Sequence, residues 1–207
     1  MMVVLSIVTA YILGSVPTAY IFGKVLKGID VREYGSGNVG ATNVFRTVGK
    51  VPGIIVLVID FLKGYIAVTL LPYLAMKYFV KAPAFDDMGY IMLGAAVISG
   101  HVWTCFLRFK GGKGVATTAG VMAGLFPVIF LCGLVIWVII FSIWKYVSLA
   151  SISAAACLPV FALVFDKGLP VILFCSVLAL VGVTVHKANI KRLIQGKEKR
   201  LVRGEKS

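Results

Sequence analysis

Three polar segments rich in glycine and basic residues interrupt an otherwise apolar chain of 207 residues. They read GSGNVGATNVFRTVGK at 35–50, GHVWTCFLRFKGGKGVATTAG at 100–120 and HKANIKRLIQGKE at 186–198. Glycines let consecutive backbone N–H groups point at one anion, and hydroxyl, amide and cationic side chains add further donors. The chemistry that these residue types favour is therefore the binding of phosphate groups.

The first segment offers side chains that could together surround a phosphate: Ser36, Asn38, Thr42, Asn43 and Arg46. Gly35, Gly37 and Gly40 also spell GxGxxG, but that pattern binds a dinucleotide only between a strand and a helix of a parallel sheet. No such sheet is predicted here, so the match is accidental. A turn-rich connector with ordinary helix caps is the alternative interpretation.

The second segment contains a cationic loop that leads into a short predicted helix at Val115. Its residues are Lys110, Gly111, Gly112, Lys113 and Gly114. The first N–H groups of a helix favour an anion, so a phosphate site is predicted here. A cytoplasmic anchor would also explain the lysines, but it would not need the glycines. His101 lies near the inner end of its own helix, where a structural role and a direct role are both open.

The third segment places His186 and Asn189 on one helix face, while Lys187, Lys191 and Arg192 are predicted to point elsewhere. An amphipathic stop at the membrane surface would explain the basic residues but not the pairing of His with Asn.

Asp60 and Lys63 lie about three turns inside the second apolar run. Ionisable groups at such depth are costly, and their spacing of three lets them pair on one helix face. We expect this pair to support the site from beneath.

Hydrophobic residues make up 60% of the chain and the mean hydropathy is +0.99, which is typical of an integral membrane protein. The apolar runs lack the alternation of a barrel and must therefore be helices. The sequence predicts an all-α membrane protein with a single domain over 1–207. The predicted helices cover 2–23, 52–80, 88–107, 115–125, 126–144, 147–165 and 169–185.

The topology follows from the charges. A break at Gly124–Pro127 divides the long run at 115–144 into a short and a full helix, which gives seven helices. The net charge of +13 is concentrated at 24–50, 108–113 and 187–206, as expected of cytoplasmic loops rather than of a nucleic-acid surface. This pattern predicts an outer N-terminus, a cytoplasmic C-terminus and a cytoplasmic position for all basic residues except Lys63, Lys77, Lys81 and Lys167.

The three segments, written GSGNxGxTNxxRxxG, GHxxxxFxxFKGGKG and HxxNIxRLxxGxE, resemble the signature of the bacterial acyl-phosphate:glycerol-3-phosphate acyltransferases. The departures are Trp103 and Thr104, where Phe-Pro is expected, and Lys187 in place of arginine. The HxxxxD motif of other glycerol-phosphate acyltransferases is missing, because Phe106 and Lys191 stand at its fifth position after the two histidines.

The resemblance implies transfer of an acyl chain from acyl phosphate to the 1-hydroxyl of glycerol 3-phosphate, at the cytoplasmic side of the bacterial cytoplasmic membrane. It implies a catalytic set of Ser36, Arg46, Lys110, His186 and Asn189. It implies a substrate-binding set of Gly35, Gly37, Asn38, Thr42, Asn43, His101, Gly111, Gly112, Lys113, Gly114 and Glu198. No metal, cofactor or nucleic acid is expected, and the partners are the two substrates, the bilayer and a soluble acyl-phosphate synthase in transient contact.

Two questions stay open at the level of sequence. The hydroxyl proton could pass to His186 or to a phosphate oxygen of the donor, and we favour the donor because no carboxylate is expected to orient either histidine. An anion or phosphate-ester transporter is the alternative function. Transporter sites usually lie at the membrane midplane between related halves, whereas the basic residues here cluster at one face.

Overall fold

The computed structural model describes residues 2–78 and 85–201, and every regular element within them is a helix. Lys81, the last two residues of the predicted helix 52–80, and the basic residues Arg203 and Lys206 lie outside the described residues. The chain forms two compact units, Met1–Pro127 and Val128–Ser207, and each is described by itself. A single domain over 1–207 stays a prediction.

The first unit contains seven α-helices and one short 3-10 helix in the described residues. The α-helices are α1 (Met2–Ser15), α2 (Thr18–Lys27), α3 (Ala41–Thr47), α4 (Lys50–Val68), α5 (Leu70–Tyr78), α6 (Asp87–Val102) and α7 (Val115–Leu125), and the 3-10 helix is Cys105–Leu107. The second unit contains α8, which begins at the boundary, and three further helices. These are α8 (Pro127–Trp144), α9 (Val147–Val164), α10 (Leu169–Val185) and α11 (Lys187–Ile194).

Helices occur in all the predicted apolar runs, and the predicted break before α8 is confirmed, because α7 ends at Leu125 and α8 begins at Pro127. Three runs predicted as single helices are wrong in detail. The first is broken at Val16 and Pro17, the second at Thr69, and the third, 88–107, at Trp103 and Thr104. Pro17 and Pro72 lack a backbone N–H and cannot continue the helical hydrogen bonding of the preceding turn, which accounts for the first two interruptions.

The break after α1 is stabilised by side chains from elsewhere in the unit. The Lys63 ammonium donates to the Val16 carbonyl at 3.1 Å, and the Thr104 hydroxyl donates to the Ser15 carbonyl at 2.5 Å. Carbonyls released by a broken helix need such partners where water is scarce. These two hydrogen bonds therefore connect the break after α1 to α4 and to the residue Thr104 that follows α6.

Five helical segments in the described part of the chain are long and apolar enough to cross a bilayer, and a sixth is obtained if α10 and α11, bent by 61°, count as one. The five are Val3–Lys27, Lys50–Tyr78, Asp87–Leu107, Pro127–Trp144 and Val147–Val164. α7 has 11 residues, or about 17 Å of helix, which is about half the thickness of the hydrocarbon core. Large apolar side chains cover the outside of these helices, as lipid requires; Val135 and Leu180 are examples.

Glycines allow two helix pairs in the first unit to approach closely. A Cβ at Gly120 of α7 would lie 2.0 Å from the Phe61 carbonyl oxygen of α4, and one at Gly64 would lie 2.2 Å from the Thr117 carbonyl oxygen. α1 and α6 meet in the same way at Gly14 and Gly100. Membrane helices commonly pack through such small residues.

The substitution Gly120→Ala should therefore destabilise the protein, whereas Gly133→Ala should not. The added methyl group at Gly120 would push α7 from α4, at a cost of about 1–3 kcal/mol. At Gly133 the nearest atom would be the Leu158 Cδ2 at an ordinary 3.6 Å, so alanine should gain helix propensity. Thermal unfolding in detergent checks this, and equal midpoints for the two variants would contradict the packing described.

Candidate active site

The first polar segment is a folded loop that packs on α2 and α4. Val31, Val39 and Val44 are buried with Val56 and Leu107 in one apolar cluster. The long connection after α2 therefore shares an apolar core with α4 and the 3-10 helix. This core places the polar side chains of the segment on a defined surface.

Asn43 connects the two sides of this loop. Its amide nitrogen donates to the carbonyls of Val31 and Tyr34 at 2.8 and 3.1 Å, and its amide oxygen accepts from the Ser36 N–H at 2.8 Å. Asn43 is buried, and a Cβ at Gly35 would lie 2.3 Å from its amide oxygen. The structure thus gives Asn43 the role of shaping the loop around Ser36, and direct substrate contact by Asn43 stays a prediction.

The other predicted side chains of this segment are more accessible. Ser36 and Arg46 are exposed, and Asn38 and Thr42 are half-buried. The N–H groups of Gly37 and Gly40 donate to the carbonyls of Tyr34 and Asn38. Anion binding here would therefore depend on side chains more than on the glycine N–H groups.

An ion pair at the start of the loop was not anticipated from the sequence. The Arg32 guanidinium lies 2.6 Å from the Asp30 carboxylate and 5.3 Å above the Tyr20 ring. Hydrogen bonds from the Arg32 side chain lower the pKa of Asp30 to about 2, against the opposing effect of burial. The pair is three residues from Gly35, and the i, i+2 spacing of opposite charges was the available signal.

The second polar segment turns tightly between the 3-10 helix and α7. Arg108 and Phe109 have left-handed backbones with φ of 53° and 60°, and the side chain of Lys110 is exposed. The N–H groups of Gly111 and Gly112 donate to the carbonyls of Val102 and His101, each at 3.0 Å. These two N–H groups hold the turn against the end of α6, and contact of Gly111 and Gly112 with a substrate phosphate stays a prediction.

The same glycines are required for close packing. A Cβ at Gly111 would lie 2.1 Å from the His101 carbonyl oxygen, and one at Gly112 would lie 2.2 Å from His101 Nε2 and 2.5 Å from the Val39 carbonyl oxygen. Gly112, in the second polar segment, therefore packs directly against Val39 of the first. The structure brings the first and second segments together here. Lys113 is half-buried, and Gly114 is the N-cap residue that precedes α7.

His101 has a carboxylate nearby, contrary to the expectation from sequence. Asp60 Oδ1 lies 3.8 Å from His101 Nδ1, and the Thr117 hydroxyl lies 3.1 Å from the same nitrogen. Asp60 pairs with Lys63 at 2.8 Å, which confirms the predicted pairing. Thr117 and Asp60 both approach Nδ1 of the ring. A catalytic triad needs the nucleophile and the acid at opposite ring nitrogens, so these three side chains do not form one.

The third polar segment belongs to the second unit. His186 lies between α10 and α11, and its Nδ1 is 2.8 Å from the Gly182 carbonyl oxygen. A carbonyl only accepts, so Nδ1 carries a proton, and in the neutral ring Nε2 keeps its lone pair. His186 is thus oriented by a backbone carbonyl, and its second nitrogen has the chemistry of a proton acceptor.

Glu198 is the centre of a polar group in the second unit. One carboxylate oxygen accepts from Asn189 at 2.6 Å and from Ser148 at 2.7 Å, and the other accepts from Arg192 at 2.7 Å. The expectation that Arg192 points elsewhere is wrong. Gly196 has φ of 66°, which turns the chain back after α11 and returns Glu198 to that helix.

Comparisons with known proteins match this chain over nearly its whole length. A family model described as glycerol-3-phosphate acyltransferase matches residues 4–196. A glycerol-3-phosphate acyltransferase 2 of Moorella thermoacetica is 43% identical over 98% of both chains, and a glycerol-3-phosphate acyltransferase of Geotalea daltonii is 46% identical over 93% of this chain and 94% of its own. The chain belongs to the glycerol-3-phosphate acyltransferase family.

A solved structure agrees with this assignment. The crystal structure of PlsY (YgiH), an integral membrane glycerol 3-phosphate acyltransferase, in its glycerol 3-phosphate form, has a TM-score of 0.87 with 38% identity, covering 98% of this chain and 96% of the other. The resemblance carried by the three polar segments is confirmed. This acyltransferase is an integral membrane protein, and the comparisons favour acyl transfer to glycerol 3-phosphate over the transporter alternative.

The polar group around Glu198 should make the acyltransferase sensitive to acid. Burial raises the pKa of Glu198, but the hydrogen bonds from Ser148, Asn189 and Arg192 outweigh it, and the pKa is lowered. A lowered pKa in the folded state stabilises the protein above the ordinary pKa, and this contribution is lost as pH falls through the lowered value. Glu198→Gln should therefore unfold at a lower temperature than the wild type at neutral pH, and the difference should disappear in acid. A difference that persists unchanged at acid pH would contradict this role.

Proposed function

We propose that this acyltransferase uses acyl phosphate as its donor and transfers the acyl chain directly to the 1-hydroxyl of glycerol 3-phosphate, releasing lysophosphatidic acid and inorganic phosphate. The observation that carries the proposal is the contact of the first two polar segments at Gly112 and Val39. That contact joins the segments that bear the exposed Ser36, Arg46 and Lys110 within one compact unit.

Acyl phosphate suits the side chains that the described residues offer. It is a mixed anhydride with a stable leaving group, so its reaction with a hydroxyl needs no covalent acyl-enzyme. The main physical difficulty is to bring two anionic reactants together. Cationic side chains in a site of low dielectric constant offset this repulsion and stabilise the charge that develops on the carbonyl oxygen. Correct placement can supply up to about 7–11 kcal/mol more.

The residues divide into direct and indirect roles under this proposal. Ser36, Arg46 and Lys110 of the first unit bind phosphate groups, and contact of His186 and Asn189 with the glycerol end stays what the family resemblance implies. Thr42 and Lys113 contact the acyl-phosphate headgroup. Gly37, Gly111, Gly112 and Asn43 act by shaping the loops, because the N–H groups of these glycines and the amide of Asn43 are already bonded within the chain.

The proposed topology has seven spans, with the N-terminus outside and the polar segments at the cytoplasmic face of a bacterial cytoplasmic membrane. The substrates' phosphates would then arrive from the cytoplasm, where a soluble acyl-phosphate synthase could dock. The acyl chain lies among the apolar helices. Lysophosphatidic acid, being a lipid, leaves directly into the bilayer.

Donor identity is tested with the purified protein, glycerol 3-phosphate, and either acyl phosphate or acyl-CoA. We expect lysophosphatidic acid and an equal amount of inorganic phosphate with acyl phosphate, and no turnover with the thioester. The products are separated by chromatography and phosphate is measured independently. Turnover with acyl-CoA alone would contradict the proposed donor while leaving the family assignment intact.

The proton acceptor is tested by His186→Gln. We favour a phosphate oxygen of the donor, and in that case kcat should fall by less than about 10²-fold, because His186 then orients the hydroxyl without accepting its proton. A general base is worth about 10²–10⁴ in rate. The measurement is kcat at saturating substrates, with KM for glycerol 3-phosphate as the check on binding. A loss near 10⁴ with KM unchanged would instead assign the proton to His186.

A further inference from the structure

A buried polar cluster lies beneath the turn that carries Lys110. Asp60, Lys63 and His101 have only 2%, 5% and 8% of their surfaces exposed. Charged groups at this depth are expensive, and well-packed apolar residues often stabilise a protein as well or better. Stability alone therefore does not account for the cluster.

His101 connects this cluster to the turn. On one side of its ring, Nδ1 faces the Thr117 hydroxyl at 3.1 Å and the Asp60 carboxylate at 3.8 Å. On the other side, Nε2 lies where only a glycine at 112 leaves room for it. The His101 carbonyl also accepts the Gly112 N–H. The orientation of one ring thus determines how closely Gly112 can approach α6.

A small cavity joins the same groups. Its volume is about 10 Å³, close to the space of one water molecule, and its lining includes Ser15, Asp60, His101, Gly111 and Gly112. Among the described residues, neither Ser15 Oγ nor Asp60 Oδ1 has a well-aligned hydrogen bond, although Lys63 Nζ lies 2.8 Å from that carboxylate oxygen. The polar lining of this cavity therefore extends from Asp60 of α4 to the Gly111–Gly112 turn.

We propose that Asp60 and Thr117 are positioning residues for acyl transfer: they orient the His101 ring, and His101 in turn sets the place of the Gly111–Gly112 turn and of the adjacent Lys110. This inference rests on the proposed function in one respect, namely that Lys110 binds the phosphate of glycerol 3-phosphate. In this inference Asp60 and Thr117 act through His101 and the turn rather than by contact with a substrate. Their effect should appear as weaker binding of glycerol 3-phosphate, with less change in the chemical step.

Thr117→Val tests this with the smallest change in shape, because it removes only the hydroxyl that faces His101. We expect KM for glycerol 3-phosphate to rise about tenfold, the equivalent of one hydrogen bond, with a smaller change in kcat. Thr117→Ser restores the hydroxyl and should recover most of the affinity. Asp60→Asn should act in the same direction, and the Thr117 variants keep the test decisive if that variant folds poorly.

Ser151→Ala is the matched control. It also removes a buried hydroxyl that is within hydrogen-bond distance of a ring nitrogen, the Trp137 Nε1 at 3.1 Å, but it lies in the second unit. It should leave KM unchanged. The rise in unfolding temperature on adding glycerol 3-phosphate without any acyl donor gives a second readout, because a ligand that binds the folded state stabilises it. That rise should shrink in Thr117→Val and persist in Ser151→Ala.

The result separates this inference from the proposed function. The donor is established with the wild type, and the KM measurements use whichever donor supports turnover, so a wrong donor leaves the test of Thr117 intact. If Thr117→Val lowers the unfolding temperature but leaves both KM and the ligand-induced rise at wild-type values, the cluster only supports the fold. That outcome would overturn the inference.

Discussion

Backbone N–H and C=O groups at the depth of the hydrocarbon must find partners within the protein, and this requirement organises the whole structure. It explains why every regular element among the described residues is a helix. It explains why the carbonyls released at the break after α1 accept hydrogen bonds from Lys63 and Thr104. Where the second polar segment packs on α6, the N–H groups of Gly111 and Gly112 likewise donate to carbonyls of that helix.

The same requirement changes the way in which an anion can be bound. Because the turn glycines are bonded within the chain, the proposed phosphate binding depends on the charge of side chains such as Arg46 and Lys110. The glycines still matter, because only they permit the close contact with His101 and Asn43. Glycine in these segments thus provides space, while the basic residues provide charge.

Each compact unit has its own buried polar group. In the first unit a carboxylate at Asp60 faces Lys63 and His101, and in the second a carboxylate at Glu198 accepts from Asn189, Ser148 and Arg192. In both cases the acidic residue faces a side chain of a polar segment: Asp60 faces His101, and Glu198 accepts a hydrogen bond from Asn189. Acids in these positions limit the rotamers of their neighbours, and the proposed reaction between two repelling anions would require rigid neighbours.

The sequence by itself determined the helical class, the position of most helices, the break before α8 and the family, because periodicity, proline and motif spacing are local properties of a chain. It also predicted the pairing of Asp60 with Lys63, which are neighbours on one helix face. The approach of Asp60 to His101, the internal bonding of the glycine turns and the return of Glu198 to Arg192 were decided only by the tertiary structure. These contacts depend on how separate helices pack and on where one turn reverses the chain, and no local pattern of residues encodes the distance between two such segments.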